Sequence, residues 1–148
     1  MATLKPTLSL SSTDAHSNPL SLSVTTSLTV QAPSMGITRM SCDENFLGQG
    51  ASIIIPEADT TNKTQYLYIK HLGKLASDGT TSSHASNDFV TIQNADGEYN
   101  IAKLQPNDFA FIPLSPFDGT DGGVEEGGVK VAKGGAAVMI EFGFWTRT

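Results

Sequence analysis

The chain has 148 residues, which suits one domain that buries roughly two thirds of the surface its unfolded form exposes. Charged residues make up 16% of it, against roughly 25% in an average soluble protein, and the formal net charge of −6 sets up a field that repels a phosphate backbone. Nucleic acid is therefore not an expected partner, and a single cysteine, Cys42, excludes an internal disulfide framework and a multi-cysteine zinc site.

Ser and Thr fill the place of the missing charges at about a fifth of the chain, and with 14 Gly and 7 Pro they favour strands and turns over helices. The N-terminus has no long apolar segment of a secretory signal, and no window approaches the roughly 18 apolar residues of a membrane span, so no membrane partner is expected.

Residues 1–19 read as an extended arm or first strand with Leu8 and Leu10 in alternation, followed by a small polar turn ending in Asn18-Pro19. From Leu20 to Val30 the alternation is nearly unbroken. Leu20, Leu22, Val24, Leu28 and Val30 share one parity, and Ser21, Ser23, Thr25, Ser27 and Thr29 share the other. This predicts a strand that buries its aliphatic row in a core and presents a row of hydroxyls. No charge occurs from Ala15 to Gly36, whereas exposed strands normally carry Lys or Glu against edge pairing, so the hydroxyl row is suited to another protein surface.

Further along, Ile37 to Met40 offers a short strand, and Ile53-Ile54-Ile55 before Pro56 reads as a buried run. Tyr66 to Leu72 has the composition of a central strand, and Ala76 to Asn87 that of a long exposed loop. Asp96-Gly97 between two strand-like runs predicts a tight hairpin. Pro106-Asn107-Asp108 forms a turn into the aromatic strand Phe109 to Leu114, which Pro113 ends or marks as an edge. Residues 115–128 make a glycine-rich acidic loop, and Val129 begins a closing hairpin whose return strand places Val138, Ile140, Phe142 and Phe144 on one face. The expectation is an all-β fold, an antiparallel β-sandwich or jelly-roll-like barrel of about eight or nine strands, with residues 1–19 as an arm and 20–148 as the sandwich domain.

No constellation of residues predicts catalysis. The three histidines, His16, His71 and His84, lack the close spacing of metal ligands. Asp118, Asp121, Glu125 and Glu126 offer hard oxygens for calcium, but without EF-hand spacing they read as a solvated acidic loop. Gly48-Gln49-Gly50 lacks both the third glycine of a dinucleotide fingerprint and the lysine of a phosphate loop. Cys42 reads as a small buried apolar residue. Neither a metal nor another cofactor is expected. Tyr66, Tyr68 and Trp145 are the weaker candidates for a ligand site, as an aromatic platform for a sugar, with a core role as the competing reading.

The order of Tyr66-Leu67-Tyr68-Ile69-Lys70, the hairpin around Asp96-Gly97, the segment from Ile101 through Pro106-Asn107-Asp108 to Leu114, and the closing strand Val138 to Trp145 resembles small virion structural proteins of tailed bacteriophages. The Ser- and Thr-rich opening from Thr7 to Val30 is similar to the start of such proteins. The resemblance implies a non-enzymatic capsid decoration (cement) protein of the virion, assembled in the host cytoplasm, with the major capsid protein or other virion subunits as partners. A homo-oligomer, commonly a trimer on a capsid axis, is part of what it implies. A tail, neck or fibre component and a carbohydrate-binding sandwich are the alternatives. On this reading Leu8, Leu10, Ser21, Ser23, Thr25, Ser27 and Thr29 contact the partner.

Overall fold

A computed structural model describes residues 2–14, 19–31, 36–43, 52–55, 64–84, 86–94, 99–114 and 129–147, with only the backbone for 52–55. The described residues form twelve strands and no helix. One four-stranded antiparallel sheet has the order β10 (Phe109–Leu114), β7 (Gln65–Leu75), β12 (Val138–Thr146), β5 (Thr38–Cys42). A second has the order β6 (Ser52–Ile55), β11 (Val129–Lys133), β8 (Val90–Asn94), β9 (Asn100–Leu104). From β5 onward the chain changes sheet at every connection except the β8–β9 hairpin.

Period-2 alternation builds the core between these sheets. Leu67 and Ile69 of β7 and Val138, Ile140, Phe142 and Phe144 of β12 meet Val90 and Ile92 of β8, Leu104 of β9, and Val129 and Val131 of β11. Cys42 lies fully buried in the same cluster, as its composition suggested. The outward parity of the first sheet holds Tyr66, Tyr68 and Lys70 on β7, Glu141, Gly143 and Trp145 on β12, and Phe109 and Phe111 on β10. Pro113 sits on the edge strand β10, where a missing N–H costs no ladder bond on the solvent side.

Several local expectations recur as structure. β7 is flanked on both sides by β10 and β12. The β8–β9 pairing closes the hairpin around Asp96-Gly97, although residues 95–98 themselves lie outside the described ones. Asn107 has φ 73° and the Asp108 amide donates to the Gln105 carbonyl at 2.9 Å, so Pro106-Asn107 are the central residues of a turn that needs a left-handed second residue. The acidic loop 115–128 and the Gly48-Gln49-Gly50 segment fall outside the described residues, as do His16 and the burial of the Ile53-Ile54-Ile55 run.

The opening of the chain departs from the expectation. The segment from Leu20 to Val30 joins neither four-stranded sheet. Apart from an isolated bridge between Val30 and Arg147, it pairs with the N-terminal residues, as β3 (Leu20–Thr25) with β2 (Thr7–Ser12) and β4 (Leu28–Val30) with β1 (Ala2–Leu4). The expected division between residues 19 and 20 therefore runs between hydrogen-bonded partners. The two pairings share one register, with Ala2 opposite Val30 and Ser12 opposite Leu20, so the four strands make a single two-stranded ribbon. Pro6 interrupts its ladder because proline has no N–H, and across the break the Thr26 amide donates to the Pro6 carbonyl at 3.3 Å.

Candidate interaction surface

Continuous register gives the ribbon two chemically distinct faces. On one face the opposed pairs are Ala2–Val30, Leu4–Leu28, Leu8–Val24 and Leu10–Leu22, with Leu20 opposite Ser12. On the other they are Thr3–Thr29, Thr7–Thr25, Ser9–Ser23 and Ser11–Ser21, and the Thr7 and Thr25 hydroxyls are hydrogen-bonded at 2.9 Å. Such directly opposed pairs are the unit of sheet stabilisation, and here aliphatic pairs with aliphatic and hydroxyl with hydroxyl except at Ser12–Leu20 and at the Pro6–Thr26 break.

The aliphatic stripe is covered only at its base. Leu28 and Val30 are buried against Tyr66, with Ala2, Leu4 and Trp145 packed around them. Tyr66 and Trp145 have outward parity, so the ribbon base lies on the outer face of the first sheet. The Gln31 amide donates to the Thr146 carbonyl at 2.9 Å, and Val30 forms an isolated antiparallel bridge with Arg147, fixing the base to the end of β12. Burying Leu28 and Val30 supplies about 1.5–3 kcal/mol each.

At the tip the same stripe is bare. Leu8, Leu10, Leu22 and Val24 are 42–53% exposed and Leu20 is half-buried. This corrects the expectation that the whole aliphatic row from Leu20 to Val30 is buried: Leu28 and Val30 are, while Leu22 and Val24 face solvent because the strand lies in a projecting ribbon. An isolated two-stranded hairpin is at best marginally stable in water, and neither β2 nor β3 carries a charged side chain to discourage pairing.

The partner-contact candidates thus divide between the two faces. Leu8 and Leu10 belong to the bare aliphatic tip, whereas Ser21, Ser23, Thr25, Ser27 and Thr29 are exposed on the hydroxyl side. The aromatic candidates divide too. Tyr66 is buried under the ribbon base, and its ring stacks on Phe111 at 5.8 Å; Phe111 in turn lies 6.5 Å from Trp145. Tyr68 shares the strand face with Tyr66, and its hydroxyl donates to Glu141 Oε1 at 3.1 Å. Glu141 Oε2 accepts from Arg39 Nε at 2.9 Å, which holds the carboxyl below its ordinary range, while burial and then the Glu141 hydrogen bond push the Tyr68 phenol up.

Beside these rings, exposed Phe109 and Ile37 extend an apolar groove of about 390 Å3 in the angle between ribbon and sheet. Phe109, Phe111 and Ile37 were missed as surface residues by sequence reading; for the two phenylalanines, the parity of β10 opposite Ala110, Ile112 and Leu114 was the available signal.

His71 is fully buried and structural. Its Nδ1 accepts from the Gly73 amide at 3.0 Å, so Nε2 carries the proton and donates to the Asp88 carbonyl at 2.7 Å. The Asp88 carboxylate accepts from the His84 amide at 2.6 Å and the Ala136 amide at 2.9 Å, bonds that hold its pKa below the ordinary value. Together these tie the loop after β7 to the β11–β12 turn. Among the described residues no group of three or more His, Cys, Asp or Glu is placed to hold a metal ion, and no helix is long and apolar enough to cross a membrane.

No family model, curated protein or solved structure matches this chain.

Proposed function

We infer that this protein is a non-enzymatic structural subunit that joins an assembly through its N-terminal ribbon, and that the assembly is a phage virion in which it serves as a capsid decoration protein. The observation that carries the reading is the aliphatic stripe, buried at Leu28 and Val30 and bare at Leu8, Leu10, Leu22 and Val24. Extended apolar strand surface without protecting charge is a means of docking on another chain. The virion setting rests on the resemblance of the strand and turn order, which also favours assembly in the host cytoplasm and the major capsid protein as neighbour. The alternation of sheets from β5 to β12 supports a jelly-roll arrangement of the sandwich.

The placement of Tyr66 under the ribbon leaves less support for a sugar-stacking platform, since one of its rings is covered and the Tyr68 hydroxyl is engaged by Glu141. A tail, neck or fibre position would use the same ribbon. The test is co-sedimentation with purified phage heads of the full chain and of a chain whose residues 7–25 are replaced by a short Asn-Gly turn. Saturable binding of the full chain that the shortened chain loses supports the reading. Absence of binding by the full chain, together with glycan binding abolished by Tyr68→Ala, would overturn it in favour of a sugar-binding module.

A further inference from the structure

We propose that the ribbon tip of one copy of this chain seats in the apolar groove of a second copy, Leu8, Leu10, Leu22 and Val24 covering Ile37, Phe109 and Phe111. The proposal rests on the assembly reading above and deepens it by naming both halves of a joint.

The occupant follows from how the chain already packs on itself. At the ribbon base, Leu4, Leu28 and Val30 cover Tyr66 and Trp145 on the outer face of the first sheet. Phe111 stacks on Tyr66 and lies beside Trp145, so the uncovered rings continue the covered ones in one aromatic patch. Where the ribbon leaves the sheet, two surfaces become bare together: the stripe, with Val24 53% exposed, and the sheet, with Phe109 61% and Ile37 58% exposed. The groove between Pro6 and Leu8 on one side and Phe109, Phe111 and Ile37 on the other is the space left by that divergence. A second ribbon brings to it the aliphatic chemistry that covers the adjoining rings in cis.

Charge points the same way. Copies with a formal net charge of −6 repel one another, and a joint between neutral surfaces adds no local like-charge contact to that repulsion. Neither β2 nor β3 contains a charged residue, and among the described residues none of the side chains lining the groove is charged. Leucine and valine methyls against phenyl rings form such a contact with no polar group left unpaired. The hydroxyl face of the seated ribbon points away from the joint, where Ser21, Ser23 and Thr25 stay available to other subunits of the particle.

The test compares the isolated wild-type chain, a tip variant Leu22→Lys/Val24→Lys and a groove variant Phe109→Lys by light scattering coupled to size exclusion, each checked for folding by its thermal transition. All three positions are exposed, so the sandwich is expected to remain folded. The wild type is expected at a mass at least twice the 15.6 kDa of the chain, and each variant at the monomer mass. Mixing the two variants restores a dimer, because the intact ribbon of the groove variant fits the intact groove of the tip variant. A folded wild type that stays monomeric at high concentration overturns the proposal. So does a groove variant that oligomerises like the wild type, which would mean that tips pair with tips. Head co-sedimentation of a monomeric wild type would leave the decoration reading standing while this joint fails, and an exchanged dimer that never binds heads would do the reverse.

Discussion

Leu10 and Leu22 stand directly opposite each other on the ribbon tip, and both are more than two fifths exposed, while Leu4 and Leu28, six positions toward the base, lie against the body of the protein. One stripe with one chemistry therefore has two fates. Burial of its base holds the ribbon in place, and the bare tip leaves apolar surface that association would remove from water.

Leu28→Ala is expected to cost about 2–3 kcal/mol at the ribbon base, since a buried leucine loses its transfer energy and leaves a partly collapsed cavity. Leu22→Ala, compared at a dilution that keeps the chain monomeric, is expected to change stability by no more than about 0.5 kcal/mol. Denaturant unfolding compares the two, and equal losses would contradict the division of the stripe.

Acid is expected to weaken the link between the loop after β7 and the β11–β12 turn. The Asp88 carboxylate is stabilised by the His84 and Ala136 amides, so its folded pKa lies below the unfolded one. The unfolded chain then binds the proton first as pH falls, and this contribution to stability is complete above the ordinary carboxylate range and disappears below it. Asp88→Asn sets an amide NH2 against one of those backbone donors and is expected to cost about 1–3 kcal/mol at neutral pH. Unfolding measured at about pH 7 and about pH 3 should show the variant's deficit shrinking in acid.

Tyr68 is expected to titrate above the ordinary phenol value near 10. Its raised folded pKa favours the neutral phenol, so the associated stability is present below that value and lost as pH rises through the folded pKa. Glu141→Gln removes the charge that receives its hydrogen bond, and ultraviolet titration should show a partial return toward 10, the burial contribution remaining. An unchanged curve would separate Tyr68 from Glu141.

Gly73 has φ 67°, and a Cβ there would lie 2.6 Å from Asn107 Oδ1. Gly73→Ala is expected to cost about 1–3 kcal/mol for the left-handed backbone and the contact together. Asn107→Gly suits the left-handed turn position and removes the obstructing side chain, so Gly73→Ala should cost less in that background. Additive losses in thermal unfolding would show that only the backbone term matters.

The sandwich was legible because its signals are local: the strand compositions of β7 and β10, the Asp-Gly hairpin and the Pro106-Asn107 turn each fix a short piece of chain. The ribbon was half legible. Alternation from Leu20 to Val30 correctly sorts hydroxyls from aliphatics, but period 2 reports which side chains share a face and says nothing of what that face meets. Leu22 and Leu28 look alike in sequence, and only the packing of the ribbon base on Tyr66 and Trp145 places Leu28 against the body and leaves Leu22 outside it. The groove depends on five separated segments, around Pro6, Ile37, Tyr68, Phe109 and Trp145, which no local pattern brings together.

Hydrogen exchange at the β2 and β3 amides, in the chain diluted to monomer and in the assembled particle, tests the central claim most directly. The projecting tip is expected to exchange far faster than β7 and β12 in the free chain and to gain strong protection in the assembly, with the core strands unchanged. Equal rates at Leu8, Leu10, Leu22 and Val24 in both states would contradict the assignment of the ribbon tip as the assembly surface.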